Sequence, residues 1–218
     1  MVPGRVNRLV IVRHGETVGN SRIRYFGRTD LELSEEGRAQ MRAAARWLGL
    51  QPGTPGFAPV VASPLRRATE GARLIAGASA PIVQIQEFLE VDFGRFEGLS
   101  AEEIRERYPV EFERWNRNRL DPAYNYPGGE SRAAFIGRVA RGIERMLELL
   151  DGADATVAGV SALIVAHRGV IRAIVKRLAE IEPPVIELGS IQILARTTHN
   201  PGWRVVALDV TEHLVGLV

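Results

Sequence analysis

Two kinds of hydrophobic pattern alternate along the chain. Leu9-Val10-Ile11-Val12, Val60-Val61-Ala62 and Leu163-Ile164-Val165-Ala166 are short apolar runs without a polar face. That pattern predicts strands buried on both sides of a parallel sheet. Between them, apolar residues recur at helical spacing. Met41, Ala44, Ala45 and Leu48 predict a helix capped by Ser34, and Phe135, Val139, Ile143, Met146, Leu147 and Leu150 predict a longer one from Ser131. Ser63-Pro64 reads as a cap with proline in the first turn, opening a helix over 65–75. Ser100-Ala101-Glu102-Glu103 forms a capping box for a short helix that stops near Pro109. Ile82 to Phe88 alternates apolar with polar residues and predicts another strand, while Pro52 to Pro59 reads as a surface loop. A helix through Leu178 follows the strand at 163–166. Ile191 to Ala195 and Val205 to Val210 then predict a hairpin, joined through Thr198-His199-Asn200-Pro201-Gly202.

This order predicts an α/β fold: a three-layer sandwich with a mostly parallel central sheet flanked by helices. With 218 residues, 45% of them hydrophobic, the chain can bury one sizeable core. No low-complexity segment or composition shift divides it, so 1–218 reads as a single domain carrying a small helical cap over about 99–127. Its 28 basic residues, mostly arginine, and 26 acidic ones leave a net charge of +2, too small and dispersed for a nucleic-acid surface. Dispersed arginine suits anionic small molecules. The absence of cysteine excludes disulfides, thiolate catalysis and cysteine metal sites. With no signal-peptide pattern and no apolar run of spanning length, the expectation is a cytoplasmic protein without a membrane partner.

The chemistry lies where two of the strands end. Arg13-His14-Gly15-Glu16-Thr17 follows the first, and His167-Arg168-Gly169 follows the strand at 163–166. Polar groups at the carboxyl ends of parallel strands are placed to form a site. The chain has four histidines, and two of them share this setting. A single strand-end histidine reads as a packing residue; the pair does not. A neutral imidazole can attack phosphorus, and arginines can neutralise phosphoryl oxygens through bidentate hydrogen bonds. The glycine after each histidine is expected to let a phosphate approach the backbone, and Arg13 to disfavour the imidazolium form of His14. His199 reads as an exposed turn residue and His213 as structural.

Arg13-His14-Gly15-Glu16-Thr17 with Asn20 resembles the signature of the histidine phosphatase superfamily, the phosphoglycerate mutase-like family. Asp30-Leu31-Glu32-Leu33-Ser34 with Gly37, Ser63-Pro64-Leu65-Arg66-Arg67-Ala68, Glu90-Val91-Asp92-Phe93-Gly94 with Phe96-Glu97-Gly98, Gly128-Gly129-Glu130-Ser131, and His167 with Gly169-Val170-Ile171-Arg172 are similar to its further motifs, in the family's order. The resemblance implies the phosphoglycerate mutase-like fold. It also implies catalytic roles for five residues: His14 as the nucleophile that becomes phosphohistidine, Arg13, Arg67 and His167 as the phosphoryl clamp, and Glu90 as general acid and then base. Asn20, Phe26 and Gly27 are the substrate-binding candidates. No metal and no cofactor is implied. Arg66 is a rival to Arg67, and Glu87 and Asp92 are rivals to Glu90; Glu16 reads as an orienting or surface residue.

Two positions depart from the family pattern. Arg168 stands where glycine is frequent, and Leu188 precedes Gly189-Ser190 where asparagine is common. Mutases of the cofactor-dependent type carry a longer basic insertion after the acid, whereas only Leu99 to Pro127 fills that gap here. The resemblance therefore implies a metal-independent phosphomonoester hydrolase acting on a small phosphorylated metabolite. A cofactor-dependent phosphoglycerate mutase is the alternative, and a phosphate-binding module without turnover the remote one. Arg105, Arg107, Arg114, Trp115, Arg117, Arg119, Tyr124 and Tyr126 give the cap charge and ring faces for that metabolite. A homodimer is left open.

Overall fold

The computed structural model describes residues 7–49, 56–118, 121–152, 161–196 and 202–217. Among the described residues six strands, β1 (Arg8–Arg13), β2 (Val60–Ala62), β3 (Ile82–Gln84), β4 (Ser161–Ala166), β5 (Ile191–Ala195) and β6 (Arg204–Val210), form one sheet in the order β3-β2-β4-β1-β5-β6. The first four run parallel; β5 is antiparallel to β1, and β6 to β5. The helices are α1 (Glu35–Trp47), α2 (Arg66–Ala76), α3 (Ala101–Arg107), α4 (Pro109–Arg117), α5 (Arg132–Gly152) and α6 (Arg168–Ala179).

Strand alternation builds the three layers. On β1, Leu9 and Ile11 pack with Val139, Ile143 and Met146 of α5 and Ile171 and Ile174 of α6. Val10 and Val12 face the other way, onto Met41 and Ala44 of α1 and Ala68 and Ala72 of α2. β4 divides in the same manner, Ala162 and Ile164 to one side, Leu163 and Val165 to the other. A strand with a helical layer on each face has no solvated side, which is why these runs carry no polar alternation.

Three local expectations change. Only Ile82–Gln84 pair with β2; after the Ile85 amide bonds the Ala62 carbonyl, the chain turns through a 3₁₀ segment that buries Phe88 against α5. Helix α2 starts at Arg66, with Leu65 at its N-cap and no side-chain cap; Ser63 falls two residues short of the capping position, and its hydroxyl accepts the Leu65 amide at 3.4 Å. Pro109 does not end the cap's helical part. It occupies the first turn of α4, where a missing N–H is no loss, so it opens a second helix. The Ser100 capping box is present as expected.

A third apolar cluster, Val91, Phe96, Ile104, Trp115, Tyr124 and Tyr126, lies beneath α3 and α4. This corrects the expectation that Trp115, Tyr124 and Tyr126 offer their faces to a ligand: they are buried against one another and form the interior of the cap. Arg119 and the turn residues 198–201 fall outside the described residues. No helix among the described residues is long and apolar enough to cross a membrane.

Candidate active site

Sheet order assembles the site. His14 follows β1, His167 follows β4 and Ser63 follows β2, and because β4 lies between β2 and β1, His167 stands between the other two. The ladder continues past the strand ends, the His14 amide bonding the Ala166 carbonyl and the Ser63 amide the Val165 carbonyl, each at 3.1 Å. The two imidazoles meet edge to face, with ring centroids 5.1 Å apart.

His14 is 4% exposed. Its Nδ1 lies 2.8 Å from the Gly15 carbonyl oxygen. A carbonyl only accepts, so Nδ1 carries the proton and Nε2 keeps its lone pair. Burial, reinforced by the charges of Arg67 and then Arg13, pushes the pKa well below the ordinary value of 6.5. The expected effect of Arg13 is present, but burial is the larger cause. His167 is fully buried, with Nε2 2.7 Å from the Ser63 hydroxyl and Nδ1 enclosed without a hydrogen-bond partner among the described residues. Burial, followed by Arg67, His14 and Arg13, lowers its pKa in the same direction.

Arg67, on the first turn of α2, is 1% exposed. It donates to the carbonyls of Thr29 at 2.7 Å, Gly27 at 2.8 Å and Phe26 at 3.4 Å, while its Nε is buried and, among the described residues, unpartnered. Arg66 turns outward to Asp30 and Glu32. Arg13 donates to the Ile186 carbonyl at 2.7 Å and likewise keeps a buried, unpartnered Nε. Burial holds both guanidinium pKa values down to about 10; for Arg13 the charge of Arg168 adds to this, and for both the charge of Glu90 opposes it. Arg13 and Arg67 thus lie within electrostatic reach of both histidines and of Glu90.

Glu90 is 7% exposed. Each carboxylate oxygen accepts one backbone amide at 2.9 Å: Oε1 that of Val91, Oε2 that of Gly169 in the first turn of α6. Of its rivals, Asp92 accepts the Gly94 amide at 2.8 Å and Glu87 lies 3.9 Å from Arg145.

The glycines do something other than expected. A Cβ on Gly15 would stand 2.5 Å from the Gly37 carbonyl oxygen, so this glycine lets α1 dock on the strand end. A Cβ on Gly169 would stand 2.5 Å from Glu90 Oε1 and 3.0 Å from the Phe135 ring. Both leave room for protein rather than for a ligand.

Asn20, Phe26 and Gly27 lie on the loop that precedes α1. Asn20 is exposed at φ 62°, in a turn organised by buried Glu16, whose carboxylate accepts the amides of Thr17, Ser21 and Arg22. It is not drawn into the buried cluster. Phe26 and Gly27 meet Arg67 through their carbonyls. A residue given no role from the sequence holds them there: the Glu97 carboxylate accepts the amides of Gly27, Arg28, Thr29 and Phe93 and the Thr29 hydroxyl, at 2.6 to 3.3 Å. Ser63, too, reads from the sequence only as a cap. The loop containing Leu188 is secured without asparagine, since Gly189 N–H donates to the His14 carbonyl and His213 Nε2–H to the Gly189 carbonyl. Arg114 on the cap borders a cavity of about 300 Å³ with Glu111, Tyr124, Asn125 and Tyr126.

The fold and this cluster define a class of α/β protein with strand-end histidines paired among buried arginines. The profile of the Histidine phosphatase superfamily (branch 1) matches residues 9–210, and the chain belongs to that family. Bifunctional protein Rv2228c of Mycobacterium tuberculosis is 38% identical over 165 residues; these are 75% of this chain but 42% of that protein, so the chain spans less than half of that relative's length. The 2,3-bisphosphoglycerate-dependent phosphoglycerate mutase 2 of Gloeobacter violaceus is 33% identical over 189 residues, 84% of this chain and 81% of that one. Among solved structures, mycobacterial glucosyl-3-phosphoglycerate phosphatase Rv2419c is similar at a TM-score of 0.73 and 27% identity, covering 94% of this chain and 99% of that one.

Proposed function

We propose that the protein hydrolyses a small phosphorylated metabolite through a phosphohistidine on His14, without a metal ion. The observation that carries this reading is the bond from His14 Nδ1 to the Gly15 carbonyl. It commits the lone pair to Nε2 while burial keeps the ring neutral, which is the state a nucleophile needs.

In the first half-reaction His14 Nε2 attacks phosphorus, a P–N bond forms, the ester P–O bond breaks, and Glu90 gives its proton to the departing oxygen. In the second, the Glu90 carboxylate takes a proton from water as that water attacks phosphorus, and the P–N bond breaks to release phosphate and neutral His14. Arg13, Arg67 and His167 hold the phosphoryl oxygens in both. The unpartnered Nε–H groups of the two arginines are donors suited to that task. His167 Nδ1 can donate only if it bears the proton, so the Ser63 hydroxyl donates to Nε2 in the working tautomer. Phe26 and Gly27 take part through the carbonyls that hold Arg67, and Asn20 is the remaining candidate for contact with the bound substrate.

The mutase relative supports a second reading, in which phosphohistidine returns its phosphoryl group to a glycerate phosphate rather than to water. Against it stands the short cap, two helices of 7 and 9 residues among the described residues, from which easier entry of water to the phosphoenzyme is expected.

The test is phosphate release from a panel of phosphomonoesters in EDTA, comparing wild type with His14→Ala and Glu90→Gln. Release that resists EDTA, disappears in His14→Ala and slows in Glu90→Gln is expected, with an acid-labile, base-stable phosphoryl group on His14. Exchange between the 2- and 3-phosphates of glycerate, without release, would establish the mutase instead. Binding of phosphate without either reaction would leave a phosphate-binding module.

A further inference from the structure

We infer that Arg138, locked to Glu130, is the residue that positions the general acid. This rests on the reading of Glu90 as that acid.

Glu90 lies on a stretch without regular structure, between the 3₁₀ turn at Gln86–Phe88 and another at Gly94–Phe96. Its backbone carbonyls have no ladder to join, and buried carbonyls need partners. Arg138 supplies them from α5. One terminal nitrogen donates to the carbonyls of Glu87 at 2.8 Å and Leu89 at 2.7 Å. The other donates to the Glu90 carbonyl at 3.2 Å and to Glu130 Oε2 at 2.7 Å, while Nε donates to Glu130 Oε1 at 2.8 Å. All five N–H groups of the guanidinium are thereby used, in a rigid fork that a lysine cannot reproduce with three donors.

Glu130 completes the bracket. Its Oε2 accepts the Asp92 amide at 3.3 Å, and its own amide donates to the Asp92 carbonyl at 3.0 Å. The backbone is therefore fixed on both sides of Glu90. The two side chains are only 12% and 11% exposed, so salt screens the pair weakly. The Arg138 guanidinium also lies 5.0 Å from the centre of the Phe135 ring, and that ring backs Gly169, the donor to Glu90 Oε2. Arg138 touches neither carboxylate oxygen of Glu90; it acts through the chain that carries it.

Leaving-group basicity separates this role from general structural damage. An alkoxide needs a proton as it departs, whereas 2,4-dinitrophenolate does not, and kcat/KM reports steps up to that departure. Arg138→Lys is expected to lower kcat/KM for glycerol phosphate about 10- to 100-fold, within the range of general acid catalysis. For 2,4-dinitrophenyl phosphate it should stay within about 3-fold, with vanadate affinity unchanged. Glu130→Gln, the milder variant, should show the same selectivity, and Glu90→Gln sets the reference. If Glu90→Gln is selective and the other two slow both esters equally, or neither, the inference falls alone. If Glu90→Gln itself is not selective, the general-acid reading falls and takes this inference with it.

Discussion

The Glu90 carboxylate and the Gly169 amide are joined at 2.9 Å, which ties the proposed acid to the first turn of the helix that follows the second histidine. A methyl group on Gly169 would meet Glu90 Oε1 at 2.5 Å. Gly169→Ala is therefore expected to displace the carboxyl and lower kcat on alkyl phosphates by about 10²-fold, while far-ultraviolet circular dichroism shows the helices retained. Activity within about 3-fold of wild type would show that the carboxyl position tolerates this displacement.

Both site histidines have pKa values pushed well below 6.5 by burial. Between the lowered folded value and 6.5, the unfolded chain binds more protons than the folded one. Stability is thus full above about pH 6.5 and falls as the pH drops below it, by about 1.4 kcal/mol per pH unit for each histidine. Urea unfolding between pH 7.5 and 5 should show this slope, reduced by about one proton in His14→Gln. An unchanged slope in that variant would contradict the assignment.

The Ser63 hydroxyl, 2.7 Å from His167 Nε2, is proposed to donate to it and so to select the tautomer that contacts phosphate. Ser63→Ala removes that selection. Vanadate is expected to bind about 10-fold more weakly, equivalent to the 1–2 kcal/mol of one buried hydrogen bond, and nitrogen-15 spectra of His167 should report a changed tautomer. Equal affinity would assign the serine to packing alone.

Glu97 gathers five donors from Gly27, Arg28, Thr29 and Phe93, and the same loop offers its carbonyls to Arg67. Glu97→Ala should cost about 2–4 kcal/mol of stability. It should also raise KM for phosphomonoesters with good and poor leaving groups alike, since the proposed clamp would serve both. A change confined to poor leaving groups would place Glu97 with the acid instead.

The sheet was legible because β1 and β4 are buried on both faces, and continuous apolar runs have no other stable use in a chain of this composition. His14 and His167 were legible because they interrupt those runs at the carboxyl end. The supporting residues were not, for a physical reason: Arg138, Glu97 and Ser63 act on backbone carbonyls, amides or a ring nitrogen distant in sequence, and such partners leave no spacing to read. Trp115, Tyr124 and Tyr126 misled in the opposite sense. Aromatic residues in a small cap suggest ligand faces, but a cap needs an interior of its own, and these rings supply it. Pro109 marks a real boundary, though a second helix begins there rather than a loop.

The parallel pairing of β1 with β4 has a consequence in time. Translation at about 5–20 residues per second leaves the first strand waiting on the order of ten seconds or more for its neighbour to be made. Throughout that interval the strand that ends at Arg13 lacks both of the neighbours it has in the folded sheet. A ribosome stalled before β4 would thus hold a chain that already carries His14 but not His167, so the two rings that meet in the folded protein exist together only after residue 167 has been made.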